Sequence, residues 1–134
     1  MKILLMLALL CGLPYCLKAQ DPTLGKTKEQ IRALIKPNSG IKLSAGESSD
    51  TLSMDGGLQT VMYYKNNICY TSKSVMPLKY IDYVTKKMTA DSYKKVSDSV
   101  WLTSSGKIKV EITVDKNRQQ FFVKTSLAGA GNPD

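Results

Sequence analysis

The residues that could do chemistry in this chain are few, and their spacing fits no catalytic or metal site. There is no histidine, which removes the commonest general base and the commonest zinc ligand. Cys69 is the only cysteine outside the N-terminal segment, so it can neither complete a zinc site nor form an internal disulfide. Its apolar, strand-like neighbours predict a small buried side chain and not a reactive thiol.

The carboxylates and glycines are explained by turns. Aspartate is favoured at turns because its side chain bonds nearby backbone groups, and the turn-associated aspartates are Asp50, Asp55, Asp98 and Asp115. No pair among them is spaced to give two carboxylates in opposed environments, as acid–base hydrolysis requires. Gly56-Gly57 fits a hairpin turn better than a phosphate-binding loop. We therefore predict a non-enzymatic protein with no catalytic residue, no cofactor and no metal.

The N-terminal stretch "MKILLMLALLCGLPYCLKAQ" has the pattern of a secretory signal peptide. Such a peptide has a basic start, a short apolar run and a small residue at the cleavage site. Here the expected cleavage follows Ala19. This apolar run is too short for a membrane span, which needs about 20 apolar residues. Bulky residues precede both cysteines of this stretch, which argues against a lipid-anchored cysteine. Residues 1–19 therefore predict export to the periplasm or beyond, with no stable membrane insertion after cleavage.

The net charge of +8 is spread over scattered lysines. A basic balance can indicate nucleic acid, anionic polymers or an acidic partner. The lysines do not cluster, and an exported protein rarely meets nucleic acid. A solvated basic surface is the favoured interpretation, and nucleic acid is not expected as a partner.

Two segments have helical periodicity. An apolar face and a Thr27–Gln30 capping box predict a first helix over residues 28–36, ended by Pro37. A second helix opens at Pro77, since proline is favoured in a first helical turn. Its apolar stripe consists of Leu78, Ile81, Val84 and Met88.

The segments after each helix alternate as strands do, and they resemble each other. "TVMYYKNNICYTSKS" (60–74) is matched by "ITVDKNRQQFFVKTS" (112–126). Each half reads as one helix followed by three strands, which predicts an internal duplication with repeats at about 27–75 and 77–127. The domain is expected to span residues 20–127, followed by a flexible tail at 128–134.

One αβββ unit is too small to close a core, because three strands and a helix leave edges and an apolar face uncovered. Two units joined edge to edge would solve this. The sequence thus predicts an α+β fold with one antiparallel sheet of about six strands and two helices packed on one face. The other face would be open.

The stretch "GKTKEQIRALIK" followed by strands resembles the opening of the SmpA/OmlA outer-membrane assembly proteins and of the β-lactamase-inhibitor-protein fold. The chain is also similar to small exported Bacteroidota proteins of unknown function with an Ala-Gln cleavage junction. It departs from the first two groups in having no lipid-anchor cysteine and one helix per unit. The resemblance implies an αβ repeat fold and assigns no functional residue.

The strand at 58–64 is apolar on both faces, which suggests a recognition surface. If Val61 and Tyr63 face the helices as Ile112 and Val114 do, the alternate residues point to the open face. The candidate partner-binding residues are then Met62, Tyr64, Trp101 and Phe122. The alternative, that the register slips and these residues are all core, stays open at this point.

These observations favour an interaction module, inhibitor-like or accessory to envelope assembly, that binds another envelope or secreted protein through the open face. The alternative is a carrier of a small apolar or anionic envelope ligand held between helices and sheet, with lysines at the rim. A cavity of roughly 300 Å³ or more would favour the carrier. A flat aromatic sheet face would favour protein binding.

Overall fold

The structure, a computed structural model, describes residues 23–91 and 93–128. The expected signal peptide at 1–19 and residues 129–134 of the expected tail lie outside the described residues. Neither of the described helices is long and apolar enough to cross a bilayer.

Most of the described chain is β-sheet. The helical elements are α1 (Lys28–Ala33), a short 3₁₀ helix (Leu78–Tyr80) and α2 (Ile81–Ala90). The strands are β1 (Lys42–Ala45), β2 (Ser49–Met54), β3 (Leu58–Lys65), β4 (Ile68–Pro77), β5 (Lys94–Ser97), β6 (Val100–Leu102), β7 (Ile108–Asp115) and β8 (Gln120–Leu127). They form one antiparallel sheet in the order β1-β2-β3-β4-β8-β7-β6-β5.

The predicted α+β fold of about six strands with two helices packed on one face is wrong, because residues 23–91 and 93–128 form mostly β-sheet, with eight strands and two short α-helices. The glycine- and serine-rich stretch after α1 reads as a loop with one short extended piece around residues 41–43, whereas residues 42–45 form a full edge strand paired with β2. Residues 93–104 read as one long extended segment, but the chain turns back at Asp98 to give β5 and β6. Short polar edge strands bury little, so alternation of apolar residues does not mark them.

Each half of the described chain contributes a helix followed by four strands, and the halves meet where β4 pairs with β8. A duplicated origin stays a prediction. The outermost strands, β1 and β5, are four residues long, and all of their residues are exposed. Short, lysine-bearing edge strands discourage further strand addition, and Lys42, Lys94 and Lys95 supply those charges.

One face of the sheet carries the buried apolar strand residues, in two clusters. The larger cluster packs Val84 and Met88 of α2 against strand residues that include Phe121, whose side chain is fully buried. The smaller cluster is Ile31 of α1 with Leu52, Met62, Tyr64 and Cys69. The side chains of both helices therefore contact the same face. Cys69 is buried, as its apolar context predicts.

A tight turn at Asn66-Asn67 joins β3 to β4. Both asparagines have positive φ, 51° and 64°, as a two-residue type I′ hairpin turn requires. Asn67 also donates from Nδ2 to Glu29 Oε2 at 2.9 Å, which lowers the pKa of Glu29 and ties the turn to α1. This turn fixes the register of the first half.

We expect Asn66→Ala to destabilise the fold by about 1–2 kcal/mol, because alanine is strained in the left-handed region. Asn66→Gly should cost much less. Chemical denaturation checks both variants, with Asn117→Ala in the longer β7–β8 turn as the control, since Asn117 is not among the residues with positive φ. An equal loss from Asn66→Ala and Asn117→Ala would contradict the role of backbone strain.

Candidate functional site: the open face of the sheet

The structure corrects the orientation expected for three of the four candidate partner-binding residues. Met62 is 0% exposed, Tyr64 7% and Trp101 5%, and all three belong to the clusters under the helices. Phe122 alone lies on the open face, where it is half-buried and pairs with Val75. Met62, Tyr64 and Trp101 are therefore core residues, and they do not form one surface with Phe122.

A difference in turn length explains the reversed orientation. The β3–β4 turn has two residues between paired Lys65 and Ile68, whereas the β7–β8 turn has four between Asp115 and Gln120. If the two turns are aligned residue by residue, β3 is aligned with β7 one position out of register. A shift of one position assigns every side chain to the opposite face of the sheet. Val61 lies beside Lys73 as Glu111 lies beside Lys124. Val61 thus corresponds to Glu111, which faces outward, and not to Ile112.

A buried polar cluster around Asp50 is the most strongly bonded group in the described chain. The Asp50 carboxylate, which is 0% exposed, accepts from Arg32 Nε at 2.9 Å and Arg32 Nη2 at 2.8 Å. It also accepts from the Tyr64 hydroxyl at 3.0 Å and from the backbone N–H of Gly46 at 3.1 Å. Lys28 Nζ lies 5.3 Å from the centre of the Tyr64 ring and donates to the carbonyl of Glu47.

The electrostatics of this cluster favour a structural role. The hydrogen bonds from Arg32 hold the pKa of Asp50 below its ordinary value, although burial acts in the opposite direction. Burial and the hydrogen bond to Asp50 raise the pKa of Tyr64 above its ordinary value. The Asp50 carboxylate already accepts four hydrogen bonds, and the Tyr64 phenol is held in its protonated form, so neither group is poised to act as a base or a nucleophile. The cluster fastens α1 to β2 and β3.

The open face is lined by basic, aromatic and aliphatic side chains of the four central strands. These are Val61, Tyr63 and Lys65 in β3, Lys73 and Val75 in β4, Phe122 and Lys124 in β8, and Lys109, Glu111 and Thr113 in β7. Alternation along each strand places them opposite the side that both helices contact. Lysine is thus the most frequent residue of the surface.

A pair of lysines occupies the middle of this face. Lys73 and Lys124 are directly opposite each other on β4 and β8. Like charges in that position destabilise a sheet. Glu111 is opposite Lys124 on its other side and lies 3.4 Å from Lys109. Lys73 forms no salt bridge within residues 23–91 and 93–128, and its ammonium lies 5.0 Å from the centre of the Phe122 ring.

The sequence pattern did not single out Lys73 and Lys124. A partial signal was present, because both copies of the repeated stretch carry a lysine within their last four residues, "TSKS" and "VKTS". The face that each lysine occupies depends on the register of its strand, which this local signal does not determine. The geometry can hold a carboxylate against two ammonium groups, with Phe122 and Val75 alongside.

Within the described ranges, no group of three or more His, Cys, Asp or Glu side chains is placed to hold a metal ion. Comparison of the chain with protein-family models, with curated proteins and with solved structures found no match. The expected likeness to SmpA/OmlA and β-lactamase-inhibitor proteins therefore stays a prediction.

Proposed function

We propose that this protein is an exported, non-enzymatic interaction module whose open sheet face binds an acidic surface on another envelope or secreted protein. The observation that carries the proposal is the Lys73–Lys124 pair at the centre of that face. Stability alone disfavours two facing lysines. A partner carboxylate placed between them would turn the repulsion into attraction.

The surroundings of the pair fit a protein partner. Phe122, Val75 and Val61 offer half-buried apolar surface, and Tyr63 adds a phenol ring. Aromatic side chains supply much of the binding energy in protein interfaces, while complementary charge chiefly speeds association and selects the partner. We therefore expect binding that is fast and that weakens as salt is added.

The test uses a photo-reactive phenylalanine analogue at position 122 in the full chain, expressed in its native envelope. We expect cross-linking to one protein, with a yield that falls at high salt. The same analogue at Leu34, which is 46% exposed beside α1 on the helix side, should not capture that protein. Equal capture from both positions, or no capture from position 122, would rule out the open face as the binding surface.

The variant Lys73→Met is expected to weaken partner binding without lowering the stability of the fold. Removing one of two facing positive charges is expected to leave the free energy of unfolding unchanged or to raise it by about 0.5 kcal/mol. Capture through position 122 should fall at least about tenfold, since a charged hydrogen bond is worth about 1.5–3 kcal/mol. Denaturation and cross-linking yield are the measurements.

The matched control is Lys36→Met, which removes the same charge from an exposed site after α1. It should change neither quantity. If Lys36→Met weakens capture as much as Lys73→Met does, net charge and not the central pair governs binding.

A further inference from the structure

A second concave surface lies on the helix side of the sheet, between α2 and the strands β5–β7. This open groove has a volume of about 400 Å³, which is within the range of about 300–1,000 Å³ found for small-molecule sites. Its apolar lining comes from Ile81, Trp101, Ile112 and Val114. Val114 is 42% exposed, so an aliphatic ligand covering it would remove apolar surface from water.

Two lysines give this groove its charge. Lys86 of α2 and Lys95 of β5 line it together with Asp98 from the β5–β6 turn. In the part of the chain that the structure describes, neither lysine forms a salt bridge. Lys95 Nζ lies 5.4 Å from the centre of the Trp101 ring. Lys86 and Lys95 outnumber the carboxylate of Asp98, so the groove carries excess positive charge.

We propose that this groove binds a small amphipathic anion, an aliphatic chain that ends in one carboxylate. The chain would lie on Ile112, Val114 and the edge of Trp101, and the carboxylate would pair with Lys86 and Lys95. Apolar walls with a few placed polar groups are the usual composition of a small-molecule site. A cationic head group is disfavoured by both lysines, and an uncharged one leaves the two lysines with the single carboxylate of Asp98.

The site is independent of the interaction surface proposed above. Strand alternation puts Lys95 on the helix side, where it pairs with Trp101, and puts Lys94 on the opposite side, where it pairs with Leu102. Loss of one function therefore does not predict loss of the other.

Trp101 is the only tryptophan, so its fluorescence reports on this groove directly. Sodium decanoate, titrated below its micelle-forming concentration, should shift the Trp101 emission with a saturable dependence. Decanol and decyltrimethylammonium should bind at least about tenfold more weakly. Equal affinity for decanol, or a shift that does not saturate, would overturn the proposal.

Variants locate the binding. Lys86→Met with Lys95→Met should raise the dissociation constant of decanoate at least about tenfold, whereas Lys94→Met on the same strand should leave it unchanged. Thr89→Phe, which places a ring in the groove beside α2, should also weaken binding. Circular dichroism confirms that each variant is folded. Unchanged affinity in both the double lysine variant and Thr89→Phe would show that decanoate binds elsewhere.

Discussion

Replacing Tyr64 with alanine is expected to lower the free energy of unfolding by about 4 kcal/mol. Deleting a buried aromatic side chain costs about 3–5 kcal/mol, because the transfer free energy is lost and a cavity remains. Tyr64 is 7% exposed and packs with Ile31, Leu52 and Met62 in the smaller core cluster. The substitution also removes a hydrogen bond to the buried carboxylate of Asp50. Thermal unfolding should shift downward by roughly 15–25 °C.

The sequence predicts that Tyr64 belongs to a recognition surface, where an alanine substitution would change stability by no more than about 1 kcal/mol, and the buried position of Tyr64 reverses that expectation. Two controls make the test specific. Tyr63→Ala, on the open face, should cost no more than about 1 kcal/mol. Tyr64→Phe keeps the ring and should cost about 1–2 kcal/mol through the lost hydroxyl alone. A loss below about 1 kcal/mol for Tyr64→Ala would place this ring outside the core.

The second large effect is expected for Asp50→Ala, a loss of about 3 kcal/mol measured by chemical denaturation. Removing one partner of a buried ion pair costs about 3–5 kcal/mol. The lower value is appropriate here because the Arg32 side chain is 37% exposed and can be solvated. The Tyr64 hydroxyl and the Gly46 N–H would still lose their acceptor.

Asp50 is also expected to make the free energy of unfolding depend on pH, with a sign that follows from its pKa. Its pKa is lowered in the folded protein, chiefly by the hydrogen bonds from Arg32. The folded state therefore binds fewer protons at this site than the unfolded state, whose carboxyl titrates near about pH 3.9. The stability that Asp50 contributes is complete above that pH and is lost as the pH falls through the lower, folded pKa. In a plot of unfolding free energy against pH, Asp50→Ala should make the decline at acid pH, the acid limb, less steep.

Asp55→Asn is the matched control, since Asp55 is exposed in the β2–β3 turn. It removes the same charge and should leave both the stability at pH 7 and the acid limb nearly unchanged. An acid limb that is equally steep in wild type and Asp50→Ala would show that other carboxylates govern it. At alkaline pH the sign is opposite, because the raised pKa of Tyr64 predicts that stability falls as the pH rises above about 10.

Local chemistry was readable from the sequence wherever short-range interactions decide the structure. The Thr27–Gln30 capping box begins α1 as predicted, and Pro77 comes directly before the second helical segment. The apolar stripe of that segment buries Val84 and Met88. The Ile108–Asp115 strand alternates as its sequence indicates as far as Ile112, whereas Val114 is exposed. These features depend on residues a few positions apart, which is the range over which sequence patterns carry information.

Strand number and strand face depend on pairing between distant residues, and there the sequence was insufficient. The edge strands β1 and β5 exist because β2 and β6 offer them hydrogen bonds, although their own residues bury little. The face to which Tyr64 points depends on whether a turn has two residues or four and on a register shift between Tyr63 and Tyr64. Sequence alone set the helix starts, the alternating strands and a basic composition. Only the tertiary structure brought Lys73 beside Lys124 and buried Tyr64 against Asp50, because a strand's partners and outward face are fixed by long-range register.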